Sequence, residues 1–153
     1  MAKTFKQLIS GILPEIKEIF PWDLEDLLEN NSDILLVDIR EIDEFEGAYI
    51  KGSLHVPRGI LEAACDWGYS DTIPELVKAR DRPVVVICRS GNRSALAAFT
   101  MQLMGYTNVT SLKTGVKGWN DSDFPLVNKK GEAVDPDWAD DFLNPTVRED
   151  QLS

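Results

Sequence analysis

Apolar residues along the chain follow two patterns, one with helical spacing and one of short continuous runs. Residues 5–20 have helical spacing that Pro14 interrupts, which predicts a kinked helix or two short helices. The β-rich run 83–87 predicts a central strand. The strongly apolar segment 94–104, followed by Gly105, predicts a buried helix with a glycine stop.

Shorter segments alternate between the same two patterns. Further strands are predicted at 34–37, 53–56 and 108–112, and further helical segments at 22–29, 41–46, 59–80 and 116–119. The first of these helices is expected to end at Asn30 and Asn31. Strands of four to six residues that alternate with helices indicate an α/β domain with a mainly parallel sheet and helices on both faces.

The two ends of the chain differ from its middle. The stripe in residues 1–19 predicts an amphipathic helical extension, which we expect to pack on its own domain rather than to dock a partner. Residues 128–153 carry three basic and seven acidic side chains, which predicts an irregular acidic tail with a helical turn near 138–143.

The net charge of the chain limits the classes of molecule that it is expected to bind. A net charge of −10 argues against nucleic acid and against anionic membrane surfaces. No apolar run reaches the ~18 residues of a membrane span, and the N-terminus lacks a signal-peptide pattern, so a cytoplasmic location is expected. Residues 78–94 reverse the average with five basic side chains against one acid, which favours a small-anion site over scattered solvated charges.

Cysteine and histidine are scarce. Two cysteines and one histidine, without a C-x-x-C pair, give too few soft ligands for zinc, so we expect no metal and no cofactor. His55 lies at a predicted strand end, where a structural role is favoured over a catalytic one. Cys65 is expected to be a buried thiol, although it could instead resolve an oxidised Cys88 as a disulfide.

The most informative segment follows the central strand. Cys88 stands at the carboxyl end of that strand, where ligands bind in open α/β sheets, and a polar loop and a helix follow it. Loop amides and the helix N-terminus can form an anion cradle, Gly91 permits a tight turn, and Arg89 and Arg93 add positive charge. These features favour a solvent-accessible thiolate that attacks sulfane sulfur and holds it as a persulfide. The alternative is a buried structural cysteine.

The loop Cys88-Arg89-Ser90-Gly91-Asn92-Arg93-Ser94 resembles the active-site loop of the rhodanese family. Two other parts of the chain resemble that family in the right order, upstream at 36–41, 44–45 and 50–53, and downstream at 105–109 and 112–119. The resemblance covers about residues 20–126 and implies the rhodanese fold, a persulfide on Cys88 and thiosulfate or another sulfane donor. It makes residues 20–127 a rhodanese-like domain between the two end segments.

Two positions depart from the family pattern. Ala48-Tyr49-Ile50 stands where the family often has Gly-His-Ile, and Thr114-Gly115 stands where it often has two glycines. Neither departure lies in the cysteine loop, so the expected chemistry is unchanged.

The residues of the expected site have distinct roles. Cys88 is the nucleophile, Arg89 and Arg93 bind the anionic donor, and the backbone donors are Ser90, Gly91, Asn92, Arg93 and Ser94. Asp38 and Arg40 are expected to form a structural pair that supports the loop from the neighbouring strand. Arg58 is a further candidate for the pocket wall.

The expected function is a thiosulfate sulfurtransferase that moves sulfane sulfur to a thiophilic acceptor. One alternative is a protein-to-protein sulfur relay with an acceptor protein as partner, and another is a non-catalytic interaction module of the same fold. Phosphatase or arsenate reductase chemistry is less favoured, because related phosphatase loops have five residues between cysteine and arginine. Here four residues separate Cys88 from Arg93, which makes a smaller cradle.

Overall fold

The structure is a computed structural model that describes residues 1–30 and 33–152. Its described part contains one five-stranded sheet, in the order β1-β5-β4-β2-β3, with every neighbouring pair parallel. The strands are β1 Lys17–Ile19, β2 Leu35–Asp38, β3 Leu54–His55, β4 Val84–Ile87 and β5 Val109–Leu112. The α/β class with a parallel sheet is therefore confirmed.

Helices lie between these strands along the chain and on either side of them. They are α1 Phe5–Ile12, α2 Pro21–Asn30, α3 Ile42–Gly47, α4 Leu61–Ala64, α5 Pro74–Val77, α6 Asn92–Leu103, α7 Gly115–Asp121 and α8 Pro136–Phe142, with 3-10 turns at Leu13–Glu15, Arg58–Ile60 and Glu149–Gln151. The predicted end of α2 is reached at Asn30, and Asn31 lies outside the described residues. Within the described ranges, every helix is too short or too polar to cross a bilayer.

The core has two halves, one on each face of the sheet. Successive strand residues point to opposite faces, so Val84 and Val86 join one cluster while Val85 and Ile87 join the other. Residues of α6 cover the first face, and residues of α2, α7 and α8 cover the second. Helices on both faces, as predicted, leave the carboxyl ends of the strands as the edge where loops converge.

Strand β1 differs from the sequence prediction, which placed residues 5–20 in helical structure. The helix ends at Ile12, and Lys17–Ile19 pairs with β5, with Ile19 opposite Leu112. Pro14 prevents the helix from continuing. The short segment that follows has only a weak preference for helix or strand, and it forms a strand because β5 offers hydrogen-bonding partners. The segment assigned to an N-terminal extension thus supplies an edge strand of the sheet.

The C-terminal segment also contributes to the fold. Helix α8 begins at an N-cap where the Asp135 side chain accepts the backbone N–H of Trp138 at 2.9 Å. Ala139 and Leu143 are buried in the second half of the core. The helical turn expected near 138–143 is therefore present, and it is an integral part of the packing rather than of an irregular tail.

Candidate active site

The loop between β4 and α6 turns sharply at Gly91. This residue has φ +97° in the left-handed region, and a side chain there would lie 3.1 Å from the backbone nitrogen of Thr114. Glycine is therefore required by conformation and by space. The turn points the following amides of the loop back towards Cys88.

Three polar groups surround the sulfur of Cys88. The backbone N–H groups of Gly91 and Ser94 donate to Sγ, with N···S distances of 3.1 and 3.3 Å. The hydroxyl oxygen of Ser94 lies 3.3 Å from the same sulfur and 2.7 Å from the hydroxyl oxygen of Ser111. The two amides stabilise negative charge on sulfur. The contact with the hydroxyl depends on the state of Cys88, because a thiol donates to Ser94 Oγ whereas a thiolate accepts from it.

The N-terminus of α7 supports the loop from behind. The carbonyl of Cys88 accepts the N–H of Val116 at 2.9 Å, and the carbonyl of Arg89 accepts the N–H of Lys117 at 3.0 Å. Gly115 makes this approach possible, because a Cβ at this position would collide with both carbonyl oxygens. Thr114, at the departure from the family's glycine pair, adopts φ +69°, which is a strained conformation for a β-branched residue.

Arg93 is held by a carboxylate of the protein itself. Its two terminal nitrogens donate to the two carboxylate oxygens of Glu44 at 2.8 and 2.9 Å. The guanidinium group of Arg93 lowers the pKa of Glu44, and the carboxylate raises the pKa of Arg93. The fork-shaped donor pair expected to bind the substrate is thus occupied by Glu44 in this structure.

Asp38 and Arg40 form a fully buried ion pair beside the loop. Arg40 Nη2 donates to Asp38 Oδ2 at 2.7 Å and to the carbonyl of Ala48 at 2.7 Å. Asp38 on β2 lies opposite Ile87 on β4, and Ile87 is the residue that precedes Cys88. This position suits the predicted support from the neighbouring strand. Within the described residues, Arg40 Nη1 is the one buried side-chain nitrogen or oxygen atom without a hydrogen-bond partner.

A family model described as Rhodanese-like domain matches residues 21–122. The chain belongs to the rhodanese-like family. The resemblance that the three sequence motifs indicated is therefore confirmed.

The chain is also similar to individual proteins and to a solved structure. The chain is 32% identical over 130 residues to the uncharacterized protein YibN of Escherichia coli K12, covering 85% of this chain and 82% of YibN. It is 32% identical over 116 residues to a protein of Allochromatium vinosum named Sulfurtransferase, covering 76% of this chain and 99% of that one. A Rhodopseudomonas palustris structure of unknown function, described as a possible tyrosine phosphatase, matches with TM-score 0.75 and 30% identity over 82% of this chain and 96% of its own.

The rhodanese-like loop encloses its cysteine more closely than the sequence suggested. Cys88 is 1% exposed, whereas a solvent-accessible sulfur was expected. The same amides that hold the sulfur fold over it, and the first half of the core closes the inner side. The expected exposure of the sulfur was therefore wrong for this structure, in which Cys88 is nearly enclosed.

Small pockets surround the loop. Arg89, which is partly buried, lines one of about 180 Å³ together with Arg40, Asp43, Glu44 and the segment of Phe142, Leu143 and Pro145. A larger cavity of about 520 Å³ lies against α8, with Trp138 in its wall, and contains neither cysteine. We place the candidate site at the loop, because Cys88, the expected nucleophile, and the amides that donate to its sulfur are there.

Other residues singled out in the sequence lie apart from the loop. Arg58 bonds to Glu62 at 2.8 Å and to Thr100, which lies two turns along α6 from the loop. His55 bonds through Nε2 to the carbonyl of Arg40 at 2.7 Å and stacks on Phe45, which is a structural setting. A pocket role for Arg58 stays a prediction.

Cys65 is the second cysteine of the described chain. It is fully buried at the end of α4, and this burial raises the pKa of its thiol. Its carbonyl accepts the guanidinium of Arg80 at 2.6 Å. Such a thiol stays protonated at neutral pH, as expected of a structural residue.

Sequence reasoning missed two partners of the site. Ser111 is a short polar residue in a buried strand, and nothing in the local pattern marks it as a neighbour of Cys88. Glu44 belongs to a recognised motif, but its contact with Arg93 spans 49 residues. Both partnerships depend on how distant segments pack.

Proposed function

We propose that this rhodanese-like chain is a sulfurtransferase that carries sulfane sulfur as a persulfide on Cys88. The observation that carries the proposal is the pair of amides, from Gly91 and Ser94, that donate to Sγ at the carboxyl end of β4. The A. vinosum relative named Sulfurtransferase supports the same chemistry.

The reaction has two balanced steps. The thiolate of Cys88 attacks the sulfane sulfur of thiosulfate, a new S–S bond forms, and the donor's S–S bond breaks as sulfite leaves with the electron pair. A thiophilic acceptor then attacks the outer sulfur, and Cys88 leaves as the thiolate. The protein's amides hold negative charge on sulfur in both steps, which lowers the free energy of the charged states.

Arg89 is our proposed cation for the donor. It lines a pocket beside the loop, and no hydrogen bond or ion pair engages its side chain within the described residues. Arg93 joins it only if Glu44 is displaced. The amides of Ser90, Asn92 and Arg93, without bonds inside the described protein, are the further donors we propose for the outer sulfur.

Phosphatase activity is the second candidate, because the R. palustris relative is described as a possible tyrosine phosphatase. A phosphate cradle needs a free arginine fork, but both terminal nitrogens of Arg93 are bound to Glu44. The loop also has four residues between Cys88 and Arg93 and encloses a single sulfur atom closely. These features favour sulfur transfer.

Intact-mass measurement after exposure to thiosulfate tests the proposal. We expect a mass increase of one sulfur atom that a thiol reductant removes and that Cys88→Ser abolishes. The matched control is Cys65→Ser, which should keep the added sulfur because the Cys65 thiol is buried and its raised pKa keeps it protonated. Absence of the added sulfur with thiosulfate and with a persulfide donor, or its presence on Cys65 instead, would contradict the proposal. Hydrolysis of an aryl phosphate that Cys88→Ser abolishes would favour the second candidate.

A further inference from the structure

A second hydroxyl group lies behind the sulfur, and the loop motif gives it no role. Ser111, on β5, is 0% exposed, and its Oγ lies 2.7 Å from Oγ of Ser94. Ser94 is also 0% exposed, and its Oγ lies 3.3 Å from Sγ of Cys88. Three buried polar atoms therefore form a continuous chain from β5 to the sulfur.

The number of protons shared among these three hydrogen-bonded atoms depends on whether Cys88 is a thiol or a thiolate. With a thiolate, two hydroxyl protons serve the two contacts, since Ser111 donates to Ser94 and Ser94 donates to the sulfur. With a thiol, three protons compete for the same two contacts, and one buried proton lacks an acceptor within the chain. Because an unsatisfied buried donor is unfavourable, the chain favours the anionic sulfur.

Ser111 acts through Ser94 and does not touch the sulfur. A hydroxyl that accepts a hydrogen bond becomes a better donor, and donation from Ser111 also fixes the direction of the Ser94 proton. We propose that Ser111 is a positioning residue that directs the Ser94 hydroxyl proton to Sγ and stabilises the thiolate of Cys88. That Ser111 also stabilises the persulfide anion of Cys88 rests on the proposed function.

Other charged groups lie around the loop and must stay constant in a test. Glu44 of α3 neutralises Arg93 of α6, and Asp38 at the end of β2 neutralises Arg40, two residues further along. The full set is Arg89 and Arg93 from the loop and α6, Glu44 from α3, and Asp38 with Arg40. Ser111→Ala changes none of these charges, so a change in the ionisation of Cys88 reports the hydroxyl.

The experiment titrates the thiolate by its ultraviolet absorbance, with the Cys88→Ser titration subtracted to remove Cys65. In Ser111→Ala the midpoint should move upward, but by less than the about 0.4 to 1 pH unit that loss of a direct hydrogen bond would give at 1.36 kcal/mol per unit, because Ser111 acts through Ser94. Ser111→Thr, which restores a hydroxyl, should return it towards the wild-type value. The matched control is Thr110→Val, which removes a half-buried hydroxyl from the opposite face of β5 and should leave the midpoint unchanged.

An unchanged midpoint in a folded Ser111→Ala chain would overturn the inference, as would an equal movement in Thr110→Val. Should Ser111→Ala fail to fold, Ser94→Ala cuts the same chain one link nearer the sulfur and must move the midpoint upward. Persulfide formation is measured separately by mass. A wild-type chain that forms no persulfide contradicts the proposed function and leaves the thiolate result standing, so the two failures are distinguishable.

Discussion

At the scale of single residues, the site is a set of exact donor and acceptor matches around one sulfur. Gly91 and Ser94 donate amide protons to Cys88, while the carbonyls of Cys88 and Arg89 accept from α7. Two arginines near the loop each form an ion pair with a carboxylate of the protein, Arg40 with Asp38 and Arg93 with Glu44. Arg89, which lines a pocket beside the loop, is therefore the arginine that we propose for binding an anionic donor.

The ion pair of Glu44 and Arg93 should depend on pH. Replacement of Glu44 by glutamine should lower the free energy of unfolding at neutral pH by about 1 kcal/mol, because a partly buried two-point contact loses its charge. The pKa of Glu44 is lowered in the folded chain, so this stabilisation is present above the ordinary value of 4.5 and is lost as the pH falls below it. Denaturant unfolding of both chains at neutral and acid pH measures the difference, which should shrink in acid.

The control is Glu46→Gln on the same helix. Glu46 pairs with Lys129 at 3.3 Å on the surface, where both side chains are well exposed, so little change is expected. A cost for Glu44→Gln no larger than this control, or one that persists undiminished in acid, would contradict the assigned role.

At the scale of elements, the loop is held between two helix N-termini. In the first turn of α6 the amide of Ser94 donates to the sulfur, and the amides of Val116 and Lys117 in α7 donate to the loop carbonyls. This arrangement fixes the loop from both sides, and it depends on a glycine where α7 meets the loop.

Gly115→Ala should displace the loop. Its Cβ would collide with the carbonyl oxygens of Cys88 and Arg89, and φ +63° adds strain, so we expect a loss of unfolding free energy of about 2 kcal/mol or more. Gly131→Ala is the matched control, because Gly131 also has a positive φ, +77°, but no atom within 4 Å of the added Cβ. Thermal melts of both variants compare strain alone with strain plus collision, and equal losses would show that the collision is relieved without cost.

At the scale of the whole molecule, the ends of the chain complete the fold around the site. Strand β1 adds the edge next to β5, and Phe142 with Leu143 reaches the pocket that Arg89 lines. Leu126, Ala139 and Leu143 bury apolar surface on the face that α7 also covers. The acidic end segment is therefore one wall of the region around the loop.

Truncation should separate the packed part of the C-terminal segment from its exposed end. Removal of residues 128–153 should lower the free energy of unfolding by several kcal/mol, on the order of two fully buried side chains, since Ala139 and Leu143 leave the core. Removal of residues 146–153 is the control and should change little, because the described residues 146–152 are exposed. Equal melting temperatures for the two truncations would contradict a structural role for α8.

Elements with strong local preferences form where the sequence predicts them. The run 83–87 and the segment 94–104 have strong propensities of their own, and both elements form within two residues of the predicted ends. The prediction of a helix through residues 17–19 was wrong, because this short segment pairs with β5 as a strand. Local preference decides long periodic elements, whereas partners decide short ones.

The sequence by itself determined the parallel α/β fold, the strand–loop–helix order around Cys88 and the glycine on which the loop turns. These follow from interactions between neighbours along the chain, which local patterns encode. Only the tertiary structure decided that Glu44 occupies Arg93 across 49 residues, that Ser111 stands behind Ser94 across 17, and that the sulfur is enclosed. Such contacts depend on strand register and helix packing, in which the free energies of many distant residues are summed.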